Sequence, residues 1–125
     1  MSLETTLVTL LTGHAGLGAL IAQRLYPVTP PQGATLPAVA YLGASTKRTY
    51  SHDGDSNLNR PRIQFDCWAA TYLEVLVLKT QLIAALHSLG SDGISVAFVE
   101  NDQDIPEPLS QNYRRTIDAF IWYKE

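Results

Sequence analysis

Residues 60–90 read RPRIQFDCWAATYLEVLVLKTQLIAALHSLG, and this stretch decides the fold. Between Arg60 and Trp68 polar and apolar residues alternate, with Ile63, Phe65 and Cys67 on one side. This period of two predicts a strand with one buried face. A helical pattern follows with almost no connector between the two. We therefore expect the helix to fold back onto the sheet that contains the strand.

The predicted helix runs from Thr71 to Leu89. Thr71 and Glu74 have the spacing of a capping box, in which the Thr71 hydroxyl accepts a hydrogen bond from the Glu74 N–H. Gly90 is expected to end the helix in a left-handed conformation. One apolar stripe at helical spacing predicts the face that meets the core. Its members are Val75, Leu78, Leu82, Ala85, Leu86 and Leu89.

A second apolar stripe on this helix contains Tyr72, Leu76 and Ile83. Together the two stripes exceed what one sheet face can cover. Two interpretations stay open: the N-terminal helix covers the second stripe, or part of it meets another subunit.

The remaining elements are read from the same kinds of pattern. Two helices are predicted at the start, Ser2–Thr12 and Ala15–Leu25, followed by a proline-rich connector over residues 28–37. Besides the strand at 60–68, strands are predicted at Ala38–Thr46, Ile94–Glu100 and Tyr113–Tyr123. In the third strand of the sequence, Ile94, Val96 and Phe98 are expected on one side and Ser95, Ala97 and Val99 on the other.

These elements predict one α+β domain over residues 1–125. Its order is α-α-β-β-α-β-β, with a mainly antiparallel four-stranded sheet and the helices packed on one face. The length of 125 residues suits a single domain, and a content of 46% hydrophobic residues suffices for a core.

Composition excludes several classes of function. A formal net charge of −3 argues against a protein that binds nucleic acid through phosphate contacts. The single cysteine, Cys67, cannot form an internal disulfide and falls on the inward side of its strand. The first residues lack the basic region of a signal peptide, and we find no apolar run long enough to span a membrane. We therefore expect a protein of the cytoplasm.

No motif for chemistry emerges from the chain. Asp53 and Asp55 open a sequence that resembles a calcium loop, but Leu58 and Gln64 stand where that loop requires glycine and glutamate. The three histidines have no ligand spacing. We expect no metal, no cofactor and no enzymatic activity.

Two polar segments, Lys47–Asn59 and Asn101–Gln111, are the most informative surface features. The first is expected to be a long hairpin loop or an extended ribbon, and the second an exposed acidic loop. Arginines near the strand ends could pair with the acidic segment of a neighbouring subunit, because the guanidinium group binds carboxylates through two hydrogen bonds. The candidate interface residues are Arg48, Tyr50, Asp53, Asp55, Arg60, Asp102, Asp104, Glu107, Arg114 and Arg115.

Three stretches carry a resemblance to a known family. They are ALIAQRLYP at Ala19–Pro27, LPAVAYL at Leu36–Leu42, and RIQFDCWAATYLEVLVLKTQL at Arg62–Leu82. Their order resembles the tail-completion proteins of long-tailed bacteriophages and prophages, over nearly the whole chain. These stretches are markers of a fold and carry no catalytic group.

The resemblance implies a structural virion protein, a tail terminator or head–tail joining protein. Such a protein forms a ring, typically of six subunits, that caps the tail tube. Its implied partners are other copies of itself, the tail tube protein and the head connector protein, with DNA only as passing cargo and no membrane. It would assemble in the host cytoplasm and end in the virion at the head–tail junction. The alternative is a small regulatory domain that binds a ligand or a peptide.

Overall fold

The computed structural model describes residues 3–51, 54–91, 93–106 and 112–124. For residues 44–51, 54–59 and 124 it describes the backbone alone.

Three helices and five strands make up the described chain. The helices are α1 (Leu3–Thr12), α2 (Ala15–Ile21) and α3 (Tyr72–His87). The strands are β1 (Leu25–Pro27), β2 (Ala38–Ser51), β3 (Gly54–Ala69), β4 (Ile94–Ile105) and β5 (Tyr113–Lys124). The α+β class is as predicted.

The sheet has five strands in the order β1-β2-β3-β5-β4, and it is mixed. The predicted four-stranded antiparallel sheet accounts for β2 to β5, which pair antiparallel. The prediction missed β1, a three-residue strand parallel to β2, with Leu25 opposite Val39. The predicted second helix extends to Leu25, the first residue of β1, because a strand this short shows no alternation. The helix instead ends at Ile21, and Ala22 follows with φ 52°.

Arg24 fixes this exit from α2. Its Nε donates to the Pro37 carbonyl at 2.9 Å, and a terminal nitrogen donates to the Leu20 carbonyl at 3.0 Å. One side chain thus ties the last turn of α2 to the residue before β2, which brings β1 and β2 side by side. The second bond also places a cation near the carboxyl end of the helix, where the helix dipole favours it.

The core lies between the helices and one face of the sheet. Phe65, Cys67, Ile117 and Ile121 of the sheet are fully buried there, as the alternation predicts. The predicted core stripe of α3, from Val75 to Leu89, is buried against them. We call this face of the sheet the helix face, and the opposite one the open face.

The N-terminal end of α3 is as predicted from the sequence, but the C-terminal end is not. Thr71 is the N-cap and accepts a hydrogen bond from the Glu74 N–H at 3.2 Å, which confirms the predicted cap. The helix ends at His87, with Ser88 as a right-handed C-cap whose N–H bonds the last turn. The predicted left-handed Gly90 is therefore wrong, because Ser88 already provides the cap.

Two glycines allow α2 to pack closely on its neighbours. A Cβ on Gly16 would lie 2.0 Å from the Gln81 side-chain oxygen of α3, and one on Gly18 would lie 2.7 Å from the Thr12 carbonyl of α1. The Gln81 side chain can move aside, whereas the Thr12 carbonyl is part of the backbone, so Gly18 is the position that requires glycine. The short α2 is thereby wedged between the two longer helices.

The two polar segments contain more strand than loop. β2 and β3 continue as a two-stranded ribbon to Ser51 and Gly54, so the ribbon alternative for Lys47–Asn59 is confirmed. The expected acidic loop was wrong for its first part, because residues 101–105 belong to β4. Asp and Asn are uncommon in strands, and here Asp104 lies directly opposite Arg115, a cross-strand pair of opposite charge.

Candidate assembly surfaces

The open face of the sheet combines arginines with aromatic rings. Alternation along β3 and β5 brings their even-numbered residues together, since Arg62 pairs with Phe120 and Trp68 with Arg114. β4 adds Phe98, which lies directly opposite Phe120. The members described here are Arg60, Arg62, Gln64, Asp66 and Trp68 of β3, Phe98 of β4, and Arg114, Thr116, Asp118, Phe120 and Trp122 of β5.

Stacking holds two of these arginines in place. The Arg60 guanidinium lies 4.7 Å from the centre of the Phe120 ring and 5.7 Å from that of Trp122. The Arg114 guanidinium lies 5.0 Å from the centre of the Trp68 ring. Such cation–π contacts orient a planar cation over an aromatic face. The open face therefore presents fixed rather than freely moving positive charge.

Asp66 anchors one end of the open face. It is 5% exposed and accepts hydrogen bonds from an Arg114 terminal nitrogen at 2.8 Å, the Thr116 hydroxyl at 2.8 Å and the Gln64 amide at 3.3 Å. A buried carboxylate is tolerated because it is paired and hydrogen-bonded in this way. Asp66 therefore serves to bind β3 to β5 and to hold Arg114.

On the same face, three side chains each have a buried polar atom without a hydrogen-bond partner within the described part of the chain. These atoms are Nε of Arg62, Nε1 of Trp68 and Oδ1 of Asp118. A buried donor or acceptor without a partner costs roughly 1–3 kcal/mol, so such atoms call for an explanation.

A second charged cluster closes the helix face near the start of α3. Arg115 donates from Nε to Asp102 at 2.5 Å and from a terminal nitrogen to Asp104 at 2.7 Å. From α3, Lys79 donates to Asp102 at 2.8 Å and the Tyr72 hydroxyl to Asp104 at 2.8 Å. This cluster links α3 to the two strands at the β4 end of the sheet.

The pKa values of Asp102 and Arg115 are shifted in the directions that favour their charged forms. Partial burial would raise the pKa of Asp102, but hydrogen bonds from Arg115 and Lys79 outweigh it and lower the pKa below the usual 3.8. The hydrogen bond to Asp104 raises the pKa of the Tyr72 hydroxyl. Bonding to Asp102, despite the opposing effect of burial, raises the pKa of Arg115. Their ion pair therefore favours the charged forms of Asp102 and Arg115.

The ten candidate interface residues do not form one patch. Arg114 and Arg115 are adjacent in sequence but lie on opposite faces of the sheet, because Arg114 bonds Asp66 and Arg115 bonds Asp102. Asp102 and Asp104, which we expected to pair with a neighbour, are bonded within their own subunit.

Arg60 lies on the open face. Asp53 and Glu107 lie outside the described residues, and Arg48, Tyr50 and Asp55 are described only as backbone of the ribbon. The interface role of the set stays a prediction.

Sequence reasoning also missed Phe98. The strict alternation placed it with Ile94, but Phe98 is 54% exposed and Ala97 is buried. The cause is a register shift between Ile94 and Val96, where β4 has an irregularity against β5. A bulge of this kind inserts one residue and moves the following side chains to the other face.

An apolar ridge on α3 forms the second surface. Leu73 is 72% exposed and Val77 is 44% exposed, one turn apart on the outer side of the helix. They border a groove of about 430 Å³. The groove is lined by Ala19, Leu20, Leu36, Pro37, Leu73, Glu74, Val77 and Leu78. In the second stripe predicted from sequence, Leu76 and Ile83 are half-buried and Tyr72 is exposed, so the stripe is covered only in part. Contact of this surface with another subunit stays a prediction.

Neither surface has the chemistry of a metal or redox site. No group of three potential ligands that could hold a metal ion occurs among the described residues. Cys67 is buried, and burial raises the pKa of its thiol well above the usual value, which keeps it protonated and unreactive. In the part of the chain that the structure describes, no helix is long and apolar enough to cross a membrane.

Fold and surfaces thus define a small α+β protein with two chemically different faces and no described catalytic centre. The family model of the Tail completion protein gp17 matches residues 5–124. The chain belongs to this family, which gives it a structural role in tail assembly. The resemblance noted from three stretches of sequence is thereby confirmed.

A solved structure has the same fold over the whole length. A chain from a structure entitled "Virion of native gene transfer agent (GTA) particle" is similar with a TM-score of 0.77 at 15% identity. The similarity covers 99% of this chain and 96% of that chain. No curated protein matches the sequence.

Proposed function

We propose that the protein forms a closed ring at the end of the tail tube and joins the tube to the head connector. The observation that carries this proposal is the family match over residues 5–124, supported by the shared fold with a chain of a virion particle. The ring would have six copies, assemble in the host cytoplasm and remain at the head–tail junction. DNA would pass through it as cargo, without catalysis or cofactor.

Two features of the subunit support a ring. A closed ring needs two different patches on each subunit that meet around a rotation axis. The open face carries arginines and aromatic rings and the ridge of α3 is apolar, so the two surfaces differ in chemistry. The described ribbon also supports the proposal, since β2 and β3 continue past the last β5 pairing at Leu58. It provides a surface that extends from the domain toward a partner.

The proposal is tested by assembly on tail tubes. The purified protein, alone and mixed with tubes of purified tail tube protein, is separated by size and analysed by light scattering and electron microscopy. We expect rings, free or at tube ends, and tubes that no longer elongate when more tube protein is added. Tubes that elongate unchanged, with the protein remaining a free monomer, would contradict the proposal.

A further inference from the structure

We propose that neighbouring subunits meet by packing the α3 ridge of one copy against the open face of the next. This inference rests on the proposed ring and specifies its interface. It would extend the layering already present within one subunit, in which helices cover one face of a sheet. The neighbour's helix would cover the other face.

The ridge consists of exposed apolar side chains on one side of α3. Leu73 and Val77 are four residues apart, so their side chains lie on one side of α3 about 6 Å apart along the axis. Glu74 stands beside them and carries the one charge among the residues lining the groove. The ridge is therefore apolar with an acidic edge.

The open face offers a matching row. Pairing across β4, β5 and β3 sets Phe98, Phe120 and Arg62 side by side. Neighbouring strands lie about 4.8 Å apart, close to the spacing of the two ridge residues. Leu73 and Val77 of one copy can thus rest on the Phe98–Phe120 end of this row, which removes the most exposed ring from water.

Charge identifies a second copy of the chain as the occupant. The acidic edge at Glu74 would meet the arginine end of the row, where Arg62 lies opposite Phe120 on the open face. A carboxylate is the acceptor that best satisfies a guanidinium N–H. Arg60, held over Phe120, adds positive charge at the same place.

The two surfaces also favour a head-to-tail series, which forms a ring where the rotation closes, over a two-fold pair. A two-fold dimer uses the same patch on both subunits, whereas the ridge and the open face are different patches. They lie on opposite sides of the sheet, so each subunit can contact two neighbours at once. Repetition of this contact gives a head-to-tail series.

The test is a cross-linking ladder. Since the single native cysteine is buried, cysteines introduced at exposed positions react alone. The double variant Leu73→Cys/Phe98→Cys is assembled with tail tubes, treated with a short thiol–thiol cross-linker and separated by size under denaturing conditions. We expect a ladder from dimer up to the full ring, because each subunit is linked to two neighbours and the sheet separates the two thiols within one chain.

A matched variant, Thr9→Cys/Phe98→Cys, moves one thiol to an exposed position on α1 and is expected to give no ladder. If wild-type rings form but the two variants give the same cross-links, the interface is wrong while the proposed function stands. If wild-type protein forms no ring even on tubes, the proposed function fails first. Cross-linking of the introduced thiol at position 73 or 98 to tail tube protein, without ladders of linked subunits, would also overturn the inference.

A charge exchange tests the polar half of the contact. Glu74→Arg alone and Arg62→Glu alone should each weaken assembly at least about tenfold, because each leaves a like-charged pair at the interface. The double variant restores an opposite pair in every interface of a head-to-tail ring and should recover most of that loss. Circular dichroism of each variant checks folding. Folded single variants that assemble like wild type, or a folded double variant that is no better than the singles, would contradict the pairing.

Discussion

The helix face and the open face of one sheet differ in how they are completed. On the helix face, apolar residues such as Phe65 and Ile117 share one core with residues of the helices and are fully buried. On the open face, aromatic rings are covered only in part, by arginines stacked on them, and Phe98 remains largely exposed. The helix face is complete within the subunit, whereas the open face has the character of a surface that meets a partner.

The arginines of β5 show how one strand serves both faces. Arg114 and Arg115 point in opposite directions, one to the buried Asp66 of the open face and the other to Asp102 beside α3. Both ion pairs lie within the subunit and link elements of its fold. Arg60, Arg62 and Asp118 of the open face make none of these ion pairs.

The largest expected effect is the loss of stability on truncating the helix face. Phe65→Ala removes a fully buried ring and should lower the free energy of unfolding by about 3–5 kcal/mol. Phe98→Ala, the same substitution on the open face, should change it by less than about 0.5 kcal/mol. Urea unfolding of both variants measures the difference. Equal losses would show that the open face is already packed in the free subunit and would break the comparison.

A smaller effect is expected at the ion pairs that close the helix face. The pKa of Asp102 is lower in the folded protein than its usual 3.8, so the ionised carboxylate stabilises the fold above that pH. This contribution is lost as the pH falls below 3.8 through the folded pKa. Asp102→Asn should therefore cost about 1 kcal/mol at neutral pH and less at low pH, where the two stability curves converge.

Urea unfolding over a range of pH values checks this expectation. Glu100→Gln, a substitution at an exposed position on the same strand, serves as the control and should leave the curve close to that of wild type. A constant difference between Asp102→Asn and wild type at every pH would contradict the role of ionisation.

Much of the fold could be predicted from the sequence because it depends on local patterns. The alternation around Phe65, the cap at Thr71 and the core stripe of α3 all appear where the patterns place them. The short β1 could not be predicted, since three residues show no period and the strand depends on pairing with β2. The strand at residues 101–105 was not predicted because its acidic residues are untypical of strands. They fit the sheet here because Asp104 lies opposite Arg115 of β5.

The candidate surfaces were less predictable than the fold. A bulge in β4 decides which way Phe98 points, and nothing local in the sequence marks it. The acidic residues that suggested a contact with a neighbour find Arg115 in the same subunit. The excess of apolar surface on α3 indicated an exposed apolar patch, but the predicted stripe of Tyr72, Leu76 and Ile83 did not include Leu73 and Val77, which form the ridge.

The most direct test of the central claim is the reactivity of a thiol on the open face before and after assembly. Phe98→Cys is labelled with a maleimide in free subunits and in rings on tail tubes, with Thr9→Cys as the control. If the next subunit covers the open face, labelling at position 98 slows strongly on assembly while labelling at position 9 does not. Equal labelling rates at position 98 in free subunits and in rings would contradict the account.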